Sequence, residues 1–422
     1  MRMPGRMIVA WAMLGVLMPT ASSALQPIAA DRRLEPQTIR WRGQTIRLAM
    51  SSSLNAQNSG IKADSDVLGA VDRALATWHG VTGLEFLVQP SDRQSISPSG
   101  VSGDGVSLIT IGQTPENLQL FAKDPFAESA RTRVFYNRKA AITEADIVLN
   151  PLQQFSTDGT YGTFDLETTL THEIGHLIGL RHSEVLGSVM ADRIPRNGTE
   201  KFGPRGLSAS DVAEARQLYE MESDTCCGAV AGHLTLKSGK SFKGTTVWAE
   251  DVDGIVAGQV SVASDGSYWI GGLDKGKYRI FWLKADGSVT GTGSMGQADV
   301  EKSEVVNVSQ RLQLENSGFT LERIGSNFQP ADSALRVRPG RQYVISIAGR
   351  NLVDLTDVSF SSQGLHVDLS SLAKKQDFGN KIDVFNITVS IDVDIPEGAY
   401  TLFCQRGDGI RTAIIGAIVV SR

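Results

Sequence analysis

The sequence predicts a multidomain protein, an α/β (α+β) domain followed by two all-β sandwich domains. Three observations carry that reading. The chain has 422 residues, too many for one typical core. Helical and strand periodicities are mixed between about residues 38 and 222. Beyond "ESDTCCGAVAG" helical periodicity vanishes, and short strands alternate with Gly, Asp and Lys turns. With 21% charged and 41% hydrophobic residues the chain has the composition of soluble globular protein. It carries a net charge of −5 and no basic stripe or aromatic–basic interleaving, so no nucleic acid partner is expected.

Residues 1–24 read as a signal peptide. Arg2 and Arg6 precede an apolar run from Met7 to Met18, and Ser22 and Ala24 hold the small-residue spacing of a cleavage site. The run falls short of the roughly 20 residues a membrane span needs, so no stable span is expected in the mature chain. Residues 25–37, polar with two prolines, read as a leader.

From 38 to 222 the elements follow in order. "TIRLAM" at 45–50 alternates as a strand does. Val67, Leu68, Val71, Leu75 and Trp78 follow helical spacing, with Asp64 or Ser65 as cap. "LEFLV" and "VSLITI" give two strands around a long Ser/Pro/Gly loop, and 112–131 reads as another loop. "RTRVFYN" and "ITEADIVLN" flank "RKAA" as a hairpin. A helix should begin near Phe164, capped by Asp165 or Thr163, with Leu166, Leu170, Ile174 and Leu177 turned inward. "LSASDVAEARQLYE" gives a last helix, Ser208 and Asp211 forming an acidic relative of the capping box.

In the β-rich half, "DGSYWIGGLDKGKYRIFWL" reads as two strands flanking a Gly-rich turn, and a second β unit occupies 319–422. Cysteine is sparse: Cys226, Cys227 and Cys404. Neighbouring cysteines rarely bond each other, so at most one bridge is expected and its partners stay open. Cys404, alternating with Tyr400 and Leu402, also fits a buried thiol.

"THEIGHLIGLRH" at 171–182 holds three of the chain's six histidines. His172 and His176, four apart, lie within about 40° on one helix face. Both can reach a Zn²⁺ ion at about 2.0–2.1 Å. Gly179 can take positive φ and turn the chain sharply, bringing His182 to the same ion from another direction. Three nitrogens leave a fourth tetrahedral position open, as catalytic sites do. Glu173 is rotated off the ligand face, placed to take a proton from metal-activated water and pass it on. A solvated helix face ending in an ordinary C-cap is the competing explanation. Five fixed positions coincide by chance on the order of once in 10⁵, far more rarely than a lone H-E-x-x-H.

"HEIGHLIGLRHSEVLGSVM" resembles the metzincin metalloproteases and, within them, the matrixins. Ser183 follows the third histidine and Met190 supplies the Met-turn. "IRLAM", "VDRALATWHGVTGLEF", "EADIVLN" and "LSASDVAEARQLYE" are similar to matrixin segments in the same order. The resemblance covers 38–222. It implies a twisted five-stranded sheet with three helices, and an antiparallel edge strand within 131–137 that pairs with extended substrate. Met190 would be an apolar floor beneath the histidines, and residues 191–196 a pocket wall.

Departures are plain. No cysteine precedes Cys226, which excludes latency through a propeptide thiolate. Asp192 stands where matrixins usually carry proline. Loop 112–131 has no evident His/Asp cluster for a second zinc or for calcium. Residues 228–315 resemble carboxypeptidase-regulatory-like sandwiches, and 319–422 an immunoglobulin-like one; both read as spacers or adhesion modules with a cell-surface or matrix partner.

The expected function is an exported zinc endopeptidase acting on protein or peptide substrates, secreted to the extracellular space, the periplasm or the cell surface. Rival readings are an adhesion protein with a vestigial protease domain, and an inhibitor or scaffold binding through the sandwiches.

Overall fold

The computed structural model describes residues 38–422 except 56–59, 99–102, 127, 199–204, 222–223, 237–240, 287–288, 313, 315–317, 328 and 378–381. The expected signal peptide and leader therefore lie outside the described residues. Among these residues no helix is long and apolar enough to cross a membrane.

The first part of the chain forms one five-stranded sheet: β1 (Thr45–Ser51), β2 (Glu85–Ser91), β3 (Ser107–Thr110), β4 (Ala130–Tyr136) and β5 (Ile142–Leu149). The order is β2-β1-β3-β5-β4, parallel throughout except for β4, which runs antiparallel to β5 at the edge. Helices α1 (Val67–Thr82) and α3 (Leu166–Ile178) share one core with the sheet. Ile46, Leu48, Ile147 and Leu149 of the strands meet Val71, Ala74, Trp78, Leu170, Ile174 and Leu177 of the helices. Each large side chain so buried contributes about 1.5–3 kcal/mol.

Caps decide where these helices begin. Asp66, the residue directly before the first helical turn, caps α1 through Gly69 N–H, not Asp64 or Ser65 as the sequence suggests. A short helix α2 (Pro115–Gln119), with Thr114 as cap and proline at its start, occupies what reads as loop; one turn is too short to show periodicity. Asp165 caps α3 as expected, and Ser208 and Asp211 close a reciprocal capping box on α4 (Ala209–Tyr219).

From Cys226 onward the described residues form strands and turns without a helix. Two four-stranded sheets of residues 226–311 face each other across Val230, Val247, Ile270, Ile280 and Trp282. The two strands expected here are Ser267–Asp274 and Gly276–Asp286, which adjoin at Lys275 and enter different sheets. Gly271 and Gly272 lie inside the first of them, against α4. A Cβ on Gly272 would stand 1.9 Å from Ala213 O, so the glycine allows helix and strand backbones to touch.

Residues 320–420 build a second pair of sheets around Ile347, Ile387, Val389, Leu402 and Ile418. A further buried cluster joins all three parts: Val185, Trp248 and Phe281 pack with Phe403 and Ile415. Cys226 and Cys227 are joined to each other, against the expectation for neighbours; the peptide between them is cis and their Cα atoms lie 3.0 Å apart. Cys404 is a free, fully buried thiol, and burial pushes its pKa up.

Candidate metal centre

Helix α3 runs beneath the sheet, and its buried face is polar in the middle. His172 and Glu173 are almost fully buried, and His176 follows one turn on. The helix stops at Gly179, whose φ is 109°. A Cβ there would lie 2.3 Å from Ile39 O, so the turn needs glycine for its conformation and for its space. Leu180 N–H then donates back to Gly175 O, and the chain returns with His182 beside the other two imidazoles. Ring centroids stand 4.7 Å apart for His172–His176, 4.7 Å for His176–His182 and 5.3 Å for His172–His182.

The hydrogen bonds settle which nitrogens point inward. His172 Nδ1 meets Val189 O at 2.8 Å and His176 Nδ1 meets Leu180 O at 2.9 Å. A carbonyl oxygen only accepts, so both Nδ1 atoms carry the proton and both Nε2 atoms present lone pairs. Those two Nε2 atoms lie 3.1 Å apart. Burial first, then the neighbouring histidines, depress the imidazolium forms: His172 is held down to about 3 and His176 to about 4. Two lone pairs facing each other so closely, without a proton between them, call for a cation. Two nitrogens at about 2.0–2.1 Å from one tetrahedral ion stand roughly 3.3 Å apart, close to what is seen. The residues fit zinc.

The third imidazole is arranged differently. His182 Nδ1 lies 3.0 Å from Asp192 Oδ1, and its side chain is half exposed. Potential ligand atoms of His172, His176 and His182 all fall within 4.8 Å of one another, and no Cys, Asp or Glu joins that cluster among the described residues.

Glu173 sits beside the imidazoles with its carboxylate buried. Thr132 Oγ1 on β4 donates to Glu173 Oε2 at 2.6 Å. Burial pushes the Glu173 pKa up to about 7, opposed by the Thr132 hydrogen bond. A cleft of about 780 Å³ opens over these groups. Arg131 and Thr132 of β4 form one side, residues 192–196 the other, and Ala331–Ser333 of the last β unit stand beyond. Among the described residues no further strand pairs with the outer edge of β4.

Under the site, Met190 is fully buried. Its Sδ would lie 2.2 Å from a Cβ placed on Gly175, the residue before His176. Asp211 of α4 reaches the same turn: its carboxylate accepts from the Ser188 hydroxyl and from Val189 N–H at 3.0 Å. The sequence reading brings His172, Glu173, His176, Gly179, His182 and Met190 to one place, and so does the structure. It overlooks Thr132, Gly175 and the second duty of Asp211. A glycine inside a helix, which costs about 1 kcal/mol against alanine, was the one available signal.

The matrixin family model (peptidase M10) matches residues 40–220. Metalloendoproteinase 1 of Glycine max is 45% identical over 56 residues, 13% of this chain and 17% of that protein. Matrilysin of Mus musculus is 36% identical over 66 residues, 16% of this chain and 24% of that protein. The chain thus spans less than a quarter of the curated relatives it matches. Among solved structures, BcpA, the major pilin subunit of Bacillus cereus, is 13% identical with a TM-score of 0.19, covering 46% of this chain and 70% of its own. A putative adhesin from Bacteroides ovatus also has 13% identity and a TM-score of 0.19, covering 46% and 87%. Residues 40–220, the stretch that the matrixin model matches, hold the three histidines, Glu173 and Met190.

Proposed function

We propose that the chain is an exported zinc endopeptidase that cleaves extended protein or peptide segments. The observation that carries this reading is the pair of Nε2 lone pairs 3.1 Å apart, with His182 beside them and a buried carboxylate alongside. His172, His176 and His182 would hold Zn²⁺. Bound there, the ion would polarise the scissile carbonyl and lower the pKa of water.

The chain's own groups do the rest. Glu173, oriented through Oε2 by Thr132, takes the proton of the attacking water at Oε1 and returns it to the leaving amine. Its raised pKa suits both directions of transfer near neutrality. The open edge of β4 offers backbone N–H and C=O groups to an extended peptide, and residues 192–196 wall the subsite beyond the scissile bond. Gly179 and Met190 shape the turn and the floor. The β-rich units, read as a carboxypeptidase-regulatory-like and an immunoglobulin-like sandwich, serve as spacers or adhesion modules toward a surface or matrix partner.

The test uses the purified chain. One zinc per chain and cleavage of a peptide library, abolished by a chelator and restored by zinc, are expected. Glu173→Ala should keep the zinc and lose cleavage by about 10²–10⁴-fold. Cleavage undiminished in that variant would sink the mechanism. Zinc bound without any peptidase activity would favour an adhesion protein with a vestigial protease domain.

A further inference from the structure

Two of the three imidazoles are oriented by backbone carbonyls, Val189 O and Leu180 O, on elements buried in the core. His182 is oriented by a side chain, the carboxylate of Asp192, at 3.0 Å from Nδ1. We propose that Asp192 is a positioning residue for His182: it holds the Nδ1 proton and so aims the Nε2 lone pair at the metal. The inference rests on the zinc reading above and adds a residue to it.

Asp192 is not placed by burial, since its side chain is 73% exposed. It is placed by the backbone on either side. Ser183 N–H donates to Met190 O at 2.8 Å, and Ser183 and Ala191 form an isolated bridge. The bridge is parallel, so residues 182 and 192 lie diagonally across the paired position, and their side chains meet over it. On the far side, Arg193 Nη1 binds Asp332 Oδ2 at 3.1 Å, and Asp332 Oδ1 accepts from Arg323 Nε at 2.6 Å. At the other end of the turn, Leu186 N–H donates to Ile415 O at 2.9 Å. The last β unit thus grips the segment that carries Asp192 from two directions.

The chemistry explains why a carboxylate belongs here. A half-exposed imidazole has two tautomers and a free ring torsion, both of which weaken it as a ligand. An acceptor at Nδ1 selects the tautomer that leaves Nε2 free, and a negative acceptor makes Nε2 the stronger donor. Proline, usual at this place in the family the segment resembles, offers no such group.

The experiment measures zinc affinity of the full-length chain by competition with a chromophoric chelator. Asp192→Ala should weaken binding by about 10–100-fold, the range for loss of such a partner. Asp192→Asn, whose amide oxygen still accepts, should recover most of that loss. In the zinc-free chain, nitrogen-15 shifts of the His182 ring should report Nδ1–H in the wild type and a mixture of tautomers in Asp192→Ala. Zinc affinity within twofold of wild type in Asp192→Ala overturns the inference and leaves the zinc reading standing. A wild-type chain that binds no zinc overturns both. Changed cleavage of charged peptides with unchanged zinc affinity would make Asp192 a cleft-rim charge, and also overturns the inference.

Discussion

In α3 every residue from Leu166 to Gly175 is buried, Glu167, Thr168, Thr169, Thr171, His172 and Glu173 among them. In the strand Arg411–Val420 the run from Thr412 to Ile418 is equally buried, and all of it but Thr412 is Ala, Ile or Gly. The helix tolerates its polar interior because each group has a partner. Thr168 and Thr169 bond to Asp165, Thr171 to Glu167 O, Glu167 to Arg73, His172 to Val189 O, and Glu173 to Thr132. An unpartnered polar atom in such a place costs about 1–3 kcal/mol. The strand needs no such arrangement, since apolar burial alone holds it. The difference shows where this molecule keeps reactive groups dry and where it simply packs.

If that contrast is right, truncation in the strand should act on stability alone. Ile418→Ala is expected to lower unfolding free energy by about 2–5 kcal/mol, measured by denaturant titration, while zinc affinity at low temperature stays the same. Loss of zinc affinity in the folded variant would break the separation.

The site region should feel volume as well as polarity. Gly175→Ala drives a Cβ toward Met190 Sδ at 2.2 Å and Trp78 Cζ2 at 2.9 Å, and should cost about 1–3 kcal/mol and shift the midpoint accordingly. Gly80, in the exposed part of α1 with nothing within 4 Å of its Cβ position, is the control. Gly80→Ala should stabilise by about 0.5–1 kcal/mol. Equal effects at the two glycines would show that the floor beneath the histidines is looser than drawn.

The β half has its own buried carboxylate, which sharpens the comparison at smaller scale. Glu250 is fully buried, accepts from Trp248 Nε1 at 2.9 Å and faces Arg279, and burial pushes its pKa up to about 6 from 4.5. The folded state holds this proton more tightly than the unfolded chain. Its contribution is therefore fully present below pH 4.5 and lost as pH rises to about 6. Glu250→Gln should flatten stability across that window by up to about 2 kcal/mol, read from urea midpoints at several pH values. An unchanged slope would mean the carboxylate is solvated.

Much of the site was legible because its geometry is local. Four residues make a helical turn, so His172 and His176 must share a face wherever the helix lies. Gly179 announces the turn by being able to take positive φ. Asp165 and the Ser208–Asp211 pair announce helix starts by the hydrogen bonds their side chains offer. The strands of the β half were equally visible as alternation, yet alternation does not say which strand pairs with which. That is why only the structure shows that Ser267–Asp274 and Gly276–Asp286, adjacent in sequence, enter two different sheets.

By itself, then, the sequence determined the helix bearing two imidazoles and a carboxylate, the glycine turn that returns a third, and the all-β character of the second half. Periodicity and backbone stereochemistry act over a few residues and leave no choice. Only the tertiary structure decided that Thr132 orients Glu173, that Asp211 ties α4 to the turn before Met190, and that Asp192 meets His182. Those meetings join elements that the spacing of neither partner relates. They arise where burying apolar faces brings separate segments together and each polar group left inside must find a partner.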